Sequence, residues 1–183
     1  MKVVIYICVI TVVCFLTSCT KNFGTSANTE NMIVFSNDKY IHESQSSKFY
    51  NNISTITVIG GQKPNPLLSA MVTNKNLHDA IEKSLIKYKY ISDTNAPKYK
   101  LDVELIKMDH PFIGLELTVK SVINYNISEI STNKQVFSKI ISTSSISKFS
   151  TDHKRLQKAK ESSVRSNIKL FIDELSKIKL AEL

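Results

Sequence analysis

The stretch Tyr99-Lys100-Leu101-Asp102-Val103-Glu104-Leu105 sets an apolar residue at every second position, against Lys100, Asp102 and Glu104. That two-residue period marks a strand with one face buried and one face wet, and it predicts a strand running to about Met108. Past the corner Asp109-His110-Pro111 and Gly114, the alternation resumes. Leu115, Leu117, Val119, Ser121, Ile123, Tyr125 and Ile127 are set against Glu116, Thr118, Lys120, Asn124 and Asn126. A second, longer strand follows, with a polar outer face that either meets a protein partner or faces water. The connection between the two is short, which implies antiparallel neighbours.

Working outward, Ser131-Thr132-Asn133-Lys134 reads as a turn. Gln135 to Ser150 is a further strand of less clean phase, carrying Val136, Phe137, Ile140, Ile141, Ile146 and Phe149. Upstream, Ile53 to Ile59 is a β-branched run that ends at Gly60-Gly61, where glycine allows positive φ. The loop after it contains Pro64-Asn65-Pro66, whose fixed φ angles and missing amides make it rigid. Leu77, Ala80, Ile81, Ser84, Leu85 and Tyr88 then recur at helical steps, predicting a helix over 75–89 with Asn74 or Asn76 as its cap. From Asp152, a good N-cap, a helix is predicted almost to the end of the chain. Leu156, Ala159, Val164, Ile168, Phe171, Ile172, Leu175 and Ile178 form its inner face, and Lys154, Arg155, Lys158, Arg165, Lys169 and Lys177 its outer one. The order β-α-β-β-β-α predicts an α+β fold. It is a two-layer sandwich in which a mainly antiparallel sheet of about four strands is packed by two helices.

At the other end of the chain, Lys2 is followed by an apolar run from Val3 to Leu16 and by Leu16-Thr17-Ser18-Cys19. The run is short of the roughly 20 residues a membrane-spanning helix needs, and its flanks are those of a signal peptide. The tetrapeptide resembles a bacterial lipobox. The resemblance implies thioether linkage of diacylglycerol to Cys19, cleavage before it and acylation of the new N-terminus. Two or more acyl chains hold a protein stably where one does not. Thr20, not aspartate, follows the cysteine, the pattern that in enterobacterial lipoproteins implies release toward the outer membrane, facing the periplasm. The expected division is therefore a signal peptide over 1–18, a lipid-anchored tether with at most one edge strand over 19–52, and one α+β domain over 53–183. Of the three cysteines, Cys8 and Cys14 lie in the segment to be removed, so no disulfide is possible in the mature chain and the domain must rely on a hydrophobic core.

The net charge of +8 suggests anionic lipid head groups or wall polymers, or a solvated lysine-rich surface. Nucleic acid is not expected, since no RNA-binding aromatic motif or zinc-finger spacing occurs. His42, His78, His110 and His153 are scattered and lack paired ligand spacing, so no metal is expected. His78 and Glu82, one helical turn apart, read as a solvated pair. With Cys19 as the sole mature cysteine, thiol catalysis is excluded. No serine lies in GxSxG and no glycine-rich phosphate loop is present, so no cofactor is expected. Asp109-His110 is the single carboxylate and imidazole pairing in a corner, either a general base with its orienting acid or a plain turn. Gly60, Gly61, Pro64, Asn65 and Pro66 form a candidate contact loop, because a rigid loop loses little entropy on binding.

Three segments together resemble a family of small, uncharacterised bacterial envelope lipoproteins. They are Gly60-Gly61-Gln62-Lys63-Pro64-Asn65-Pro66-Leu67, Asp109-His110-Pro111-Phe112-Ile113-Gly114 before Thr118-Val119, and a closing helix with Arg155, Ala159, Glu161 and Asn167-Ile168. Some members carry a name linked to acyl transfer to UDP-N-acetylglucosamine. Such enzymes are built from hexapeptide repeats, none of which occurs here. The expectation is a non-catalytic binding or accessory module of the cell envelope, not an enzyme, with a membrane and an envelope protein as partners. The alternative is an envelope hydrolase or transferase acting on cell-wall or lipid substrates through Asp109 and His110. Cys19→Ala is expected to abolish acyl labelling in cells and leave an uncleaved precursor; a labelled mature form of that variant would refute the lipobox.

Overall fold

The computed structural model describes residues 26–35, 38–63, 70–94, 96–109, 117–147 and 154–179. A short 3-10 helix, Thr29–Met32, precedes helix α1 (Asp38–Gln45), strand β1 (Ile53–Ile59), helix α2 (Asn74–Lys87), strands β2 (Tyr99–Asp109), β3 (Leu117–Glu129) and β4 (Gln135–Ser147), and helix α3 (Arg155–Lys177). The four strands make one sheet in the order β1-β2-β3-β4. β2 and β3 pair antiparallel, as do β3 and β4. β1 and β2 pair parallel, because the 39 residues between them hold α2, which carries the chain back to the start of the sheet. The sheet is therefore mixed, antiparallel in two of its three pairings, and the fold is α+β.

The alternation that predicted β2 and β3 sorts their faces. Leu101, Val103 and Leu105 are buried, and opposite them Ile127, Tyr125 and Ile123 are fully buried. On β4 the phase is resolved by pairing: Ile141 lies opposite Ile123 and Phe137 opposite Ile127, while Ile140 and Ile146 lie on the other face. A bulge at Ile106 shifts the β2–β3 register so that Asp109 comes opposite Lys120.

Helix α3 covers the inner face of β3 and β4. Its apolar stripe is the expected one, with Val164, Ile168, Phe171, Ile172 and Leu175 buried. The seam also holds polar residues: Tyr125 and Ser121, which the alternation of β3 placed on the inner face, and Asn167, Ser163 and Thr143, which periodicity had not singled out. The Tyr125 ring stacks on Phe171 with centroids 4.0 Å apart, and its hydroxyl donates to Asn167 Oδ1 at 3.0 Å. The Asn167 amide donates to the Ile141 carbonyl at 2.8 Å. Ser121 and Ser163 share a hydrogen bond of 2.9 Å, and Thr143 Oγ1 donates to the Ser163 carbonyl at 2.8 Å. Burial drives the Tyr125 phenol pKa far above its usual value, so the hydroxyl stays a donor. These bonds specify one rotation of α3 on the sheet, because any other leaves buried polar atoms unanswered.

The α2 cap is Thr73, one residue before Asn74 and three before Asn76. Its side chain accepts from the Asn76 amide, and Asn76 reaches back as the third residue of a capping box. The expected cap of α3, Asp152, lies outside the described residues. Gly60 and Gly61 serve close approach. Gly60 has φ of 78°, and a Cβ there would stand 2.4 Å from the Leu105 carbonyl oxygen. A Cβ on Gly61 would stand 2.3 Å from the Asn74 nitrogen. Gly60→Ala is expected to cost about 2 kcal/mol or more, read as a lower urea midpoint; an unchanged midpoint would mean that β1 and β2 do not approach this closely at Leu105.

Candidate functional site

The residues singled out from sequence are not brought into one site. Cys19, Pro64, Asn65, Pro66 and His110 lie outside the described residues. Gly60 and Gly61 are occupied internally, with the Gly61 amide donating to Asn74 Oδ1 at 2.7 Å. Asp109 is held by Lys107, whose Nζ lies 2.7 Å from its carboxylate on the same strand face. His78 and Glu82 are joined by Asp79, and donor atoms of the three lie within 4.8 Å of one another. Lys75 already answers Asp79 at 2.8 Å and is the main cause holding its carboxyl below the usual pKa, with His78 at 3.4 Å. All three are partly exposed on one helix.

Two other regions emerge. The first is the outer face of the sheet. Both helices that pack on the sheet meet its inner face, so Asp102, Glu104, Asn124 and Asn126 point away from them. Asn126 stands opposite Asp102 and Asn124 opposite Glu104, with Thr57 and Ile59 of β1 beside them. Thr57, Ile59, Asp102, Val103, Glu104 and Asn126 line a shallow depression of about 210 Å³. That is below the size usual for a small-molecule site and matches one or two side chains. Asn124 Oδ1 is buried without a hydrogen-bond partner among the described residues. Exposed isoleucines share this face: Ile59 lines the depression, Ile106 sits at the β2 bulge, and on β4 Ile140 lies opposite Asn124 and Ile146 farther along, opposite Thr118, the last two each 61% exposed. Two carboxylates on a face that also exposes aliphatic side chains suit a cationic side chain presented on an apolar surface. The polar half of this face was legible from the sequence; the β4 isoleucines were not, because the phase of that strand was ambiguous.

The second region is the docked N-terminal segment. The stretch expected to be a tether lies against the core from Ala27 onward, and Ala27, Met32, Ile33, Val34 and Phe49 are buried. Among the described residues it adds no edge strand, and β1 and β4 are the edges of the sheet. Its fastening is Glu161, which is 2% exposed. The carboxylate accepts from the Asn28 amide at 2.6 Å, Asn31 Nδ2 at 2.7 Å and Gln157 Nε2 at 2.8 Å. Its neighbour Lys160 is equally buried, and burial lowers the pKa of its ammonium. Along α2, Lys83 meets Glu30 at 2.5 Å, Ser84 Oγ accepts from the Val34 amide at 3.0 Å, and the Tyr88 hydroxyl donates to the Phe35 carbonyl at 3.2 Å. Within the described residues no helix is long and apolar enough to cross a membrane.

No protein-family model matches the chain, and no curated protein sequence matches it. Solved structures do. The hypothetical protein CT253 from Chlamydia trachomatis is similar with a TM-score of 0.54 at 10% identity, over 72% of this chain and 99% of that one. Protein XCC0632 from Xanthomonas campestris, of family DUF330, is similar with a TM-score of 0.50 at 14% identity, over 66% of this chain and 79% of that one. A minor lipoprotein from Acinetobacter baumannii gives a TM-score of 0.46 at 9% identity, over 72% and 98%, a score too low to carry an argument. At these identities the first two likenesses show a shared fold.

Removing the fastening tests the docked segment. Glu161→Ala removes the shared acceptor of two donors of that segment, the Asn28 amide and Asn31 Nδ2, and is expected to cost about 1–2 kcal/mol, with new protease cleavage between residues 26 and 35. Full stability with an uncleaved segment would show that apolar packing alone holds it.

Proposed function

We propose that this protein is a lipid-anchored component of the bacterial cell envelope, acylated at Cys19, whose domain is a non-catalytic binding or accessory module. Its partner is another envelope protein, bound through the outer face of the sheet. The observation that carries this reading is the outer face itself: a depression holding Asp102, Glu104 and Ile59, on a face that also exposes Ile106, Ile140 and Ile146. Solvent-facing strands commonly carry polar residues, and exposed isoleucines on the same face as paired carboxylates favour a partner surface. The shallow volume supports a macromolecular partner over a metabolite. Thr20 after Cys19 supports the outer membrane as the site of anchoring, with the domain in the periplasm. The chemistry of the face favours a partner presenting a lysine or arginine amid apolar side chains.

Photo-crosslinking in cells tests this. A photoreactive phenylalanine analogue at Ile140 or Ile146 is expected to give one adduct of discrete mass, and Glu104→Lys should suppress that adduct by reversing the charge of the depression. The same analogue at Leu170, an exposed position on α3, should not give it. An adduct formed equally from all three positions, or from Leu170 alone, would exclude the outer face as the binding surface.

A further inference from the structure

The outer face of the sheet carries both halves of a charge match, sorted along the strands. Asp102 and Glu104 stand opposite Asn126 and Asn124. Farther along the same face of β3 is the exposed Lys120, between Asp109 on β2 and Ser144 on β4. Asp109 is answered by Lys107 at 2.7 Å, so the end of the face holding Lys120 keeps a net positive charge and the end holding Asp102 and Glu104 a negative one. Among the described residues Asp102, Glu104 and Lys120 form no ion pair. Between the two ends the face is apolar. Val122 separates Lys120 from Asn124, the exposed Ile106 sits at the bulge next to Lys107, which pairs with Val122, and the exposed Ile140 lies opposite Asn124.

This sequence of acid, apolar centre and base is complementary to its own reverse. A two-fold axis in the plane of the face, crossing the strands at Val122, turns one copy onto another with the strands antiparallel. Val122 and Ile106 of the two copies then meet at the axis. Each Lys120, two residues to one side of the axis, arrives two residues to the other side, over Asn124 and its β2 neighbour Glu104. Packed sheets lie about 10 Å apart, a gap that the four-carbon stem of a lysine crosses in large part. The depression of about 210 Å³ has room for that side chain. Four strands at about 4.8 Å spacing, three of them 11–13 residues long, offer about 600 Å² of face per copy. Two such faces bury about 1,200 Å², the lower end of the range for stable specific interfaces, with the apolar centre and charged rim usual for them. A partner of different sequence would account for the two carboxylates but would leave Lys120 and its apolar neighbours unused.

We propose that the envelope protein bound at the outer face is a second copy of this chain, in a two-fold dimer in which Lys120 of each copy enters the Asp102 and Glu104 depression of the other. The contact is face to face, so the edge strands β1 and β4 do not pair between copies. This rests on the reading of the outer face as a binding surface.

Sedimentation of the full-length protein in detergent tests the dimer. The natural sequence is expected to dimerise with a micromolar Kd. Glu104→Lys and Lys120→Glu each set like charges against one another at both contacts, and each is expected to weaken the dimer about tenfold or more. An equimolar mixture of the two variants is expected to restore it. Lys120 of the first then meets Glu104 of the second, and the two introduced charges meet each other; restoration also shows that both variants are folded. A natural sequence that stays monomeric, variants that dimerise as tightly as it does, or a mixture that stays monomeric would each overturn the proposal. In cells, the adduct formed from Ile140 is expected to have twice the mass of this chain. An adduct of another mass would overturn the second copy while leaving the outer face as the binding surface for a different protein, and the absence of any adduct would overturn both.

Discussion

The Glu161 carboxylate is the group on which the arrangement of this chain most depends. An ionised carboxylate withdrawn from water is costly unless its lone pairs are answered. Here they are answered by the Asn28 amide, the Asn31 side chain and Gln157. Two of these three donors come from a segment more than 120 residues away in sequence, so the price of burying Glu161 is that the N-terminal segment must be in place. The segment in turn supplies Met32 and Val34 to the core between α2 and α3. One charged group thus couples the entry of the chain to both long helices.

The second constraint is the seam under α3. Tyr125, Asn167, Ser121, Ser163 and Thr143 form hydrogen bonds inside an otherwise apolar interface. Apolar burial supplies most of the driving force, roughly 1.5–3 kcal/mol for each large side chain, but it is indifferent to small rotations of a helix. The polar bonds are not, and they set α3 in register with β3 and β4. With both helices committed to the inner face, the outer face is left to the solvent or to a partner, and its composition, two carboxylates among isoleucines, follows from that division. Lys139, although it lies on the inner face of the edge strand β4, reaches Glu174 on α3. Lys139 first, then Lys177, holds the Glu174 carboxyl below its usual pKa. The contribution is present above the ordinary carboxylate pKa and is lost as pH falls through the lowered value, and at this exposure it is small. A charge pointing inward from an edge strand also discourages pairing with a second sheet.

Much of the fold was legible in the chain and the rest was hidden for identifiable reasons. Strands β2 and β3 announce themselves because each has one buried and one wet face, so a period of two survives in the sequence. The α2 and α3 stripes are equally plain. On β4, Ile140 and Ile146 are apolar yet exposed, and Lys139 is charged yet inward, so the period fails. The parallel pairing of β1 depends on the crossover through α2, which composition does not reveal. Residues 26–35 looked like a tether because the stretch 20–52 around them is rich in Ser, Asn and Thr, although Asn28 and Asn31 are hydrogen-bond partners of the buried Glu161. Glu161 and Asn167 entered only through the resemblance of the closing helix and Lys160 not at all, because charged and amide side chains on a helix usually face water and their burial leaves no periodic signal. Of the candidate site, Glu104, Asn124 and Asn126 were visible as the wet face of two strands. The isoleucines that share their face were not, since they come from a third strand of ambiguous phase and from a bulge.

The central claim is that the chain is fastened to its own domain from Ala27 onward. Native-state hydrogen exchange on the full-length protein addresses it directly, at the amides of Ala27, Asn28 and Val34, whose acceptors are the Met71 carbonyl, Glu161 and Ser84. The account predicts protection of these three comparable with that of the α3 core at Ile168 and Phe171. Exchange at the rate of an unstructured peptide, with α3 still protected, would contradict it.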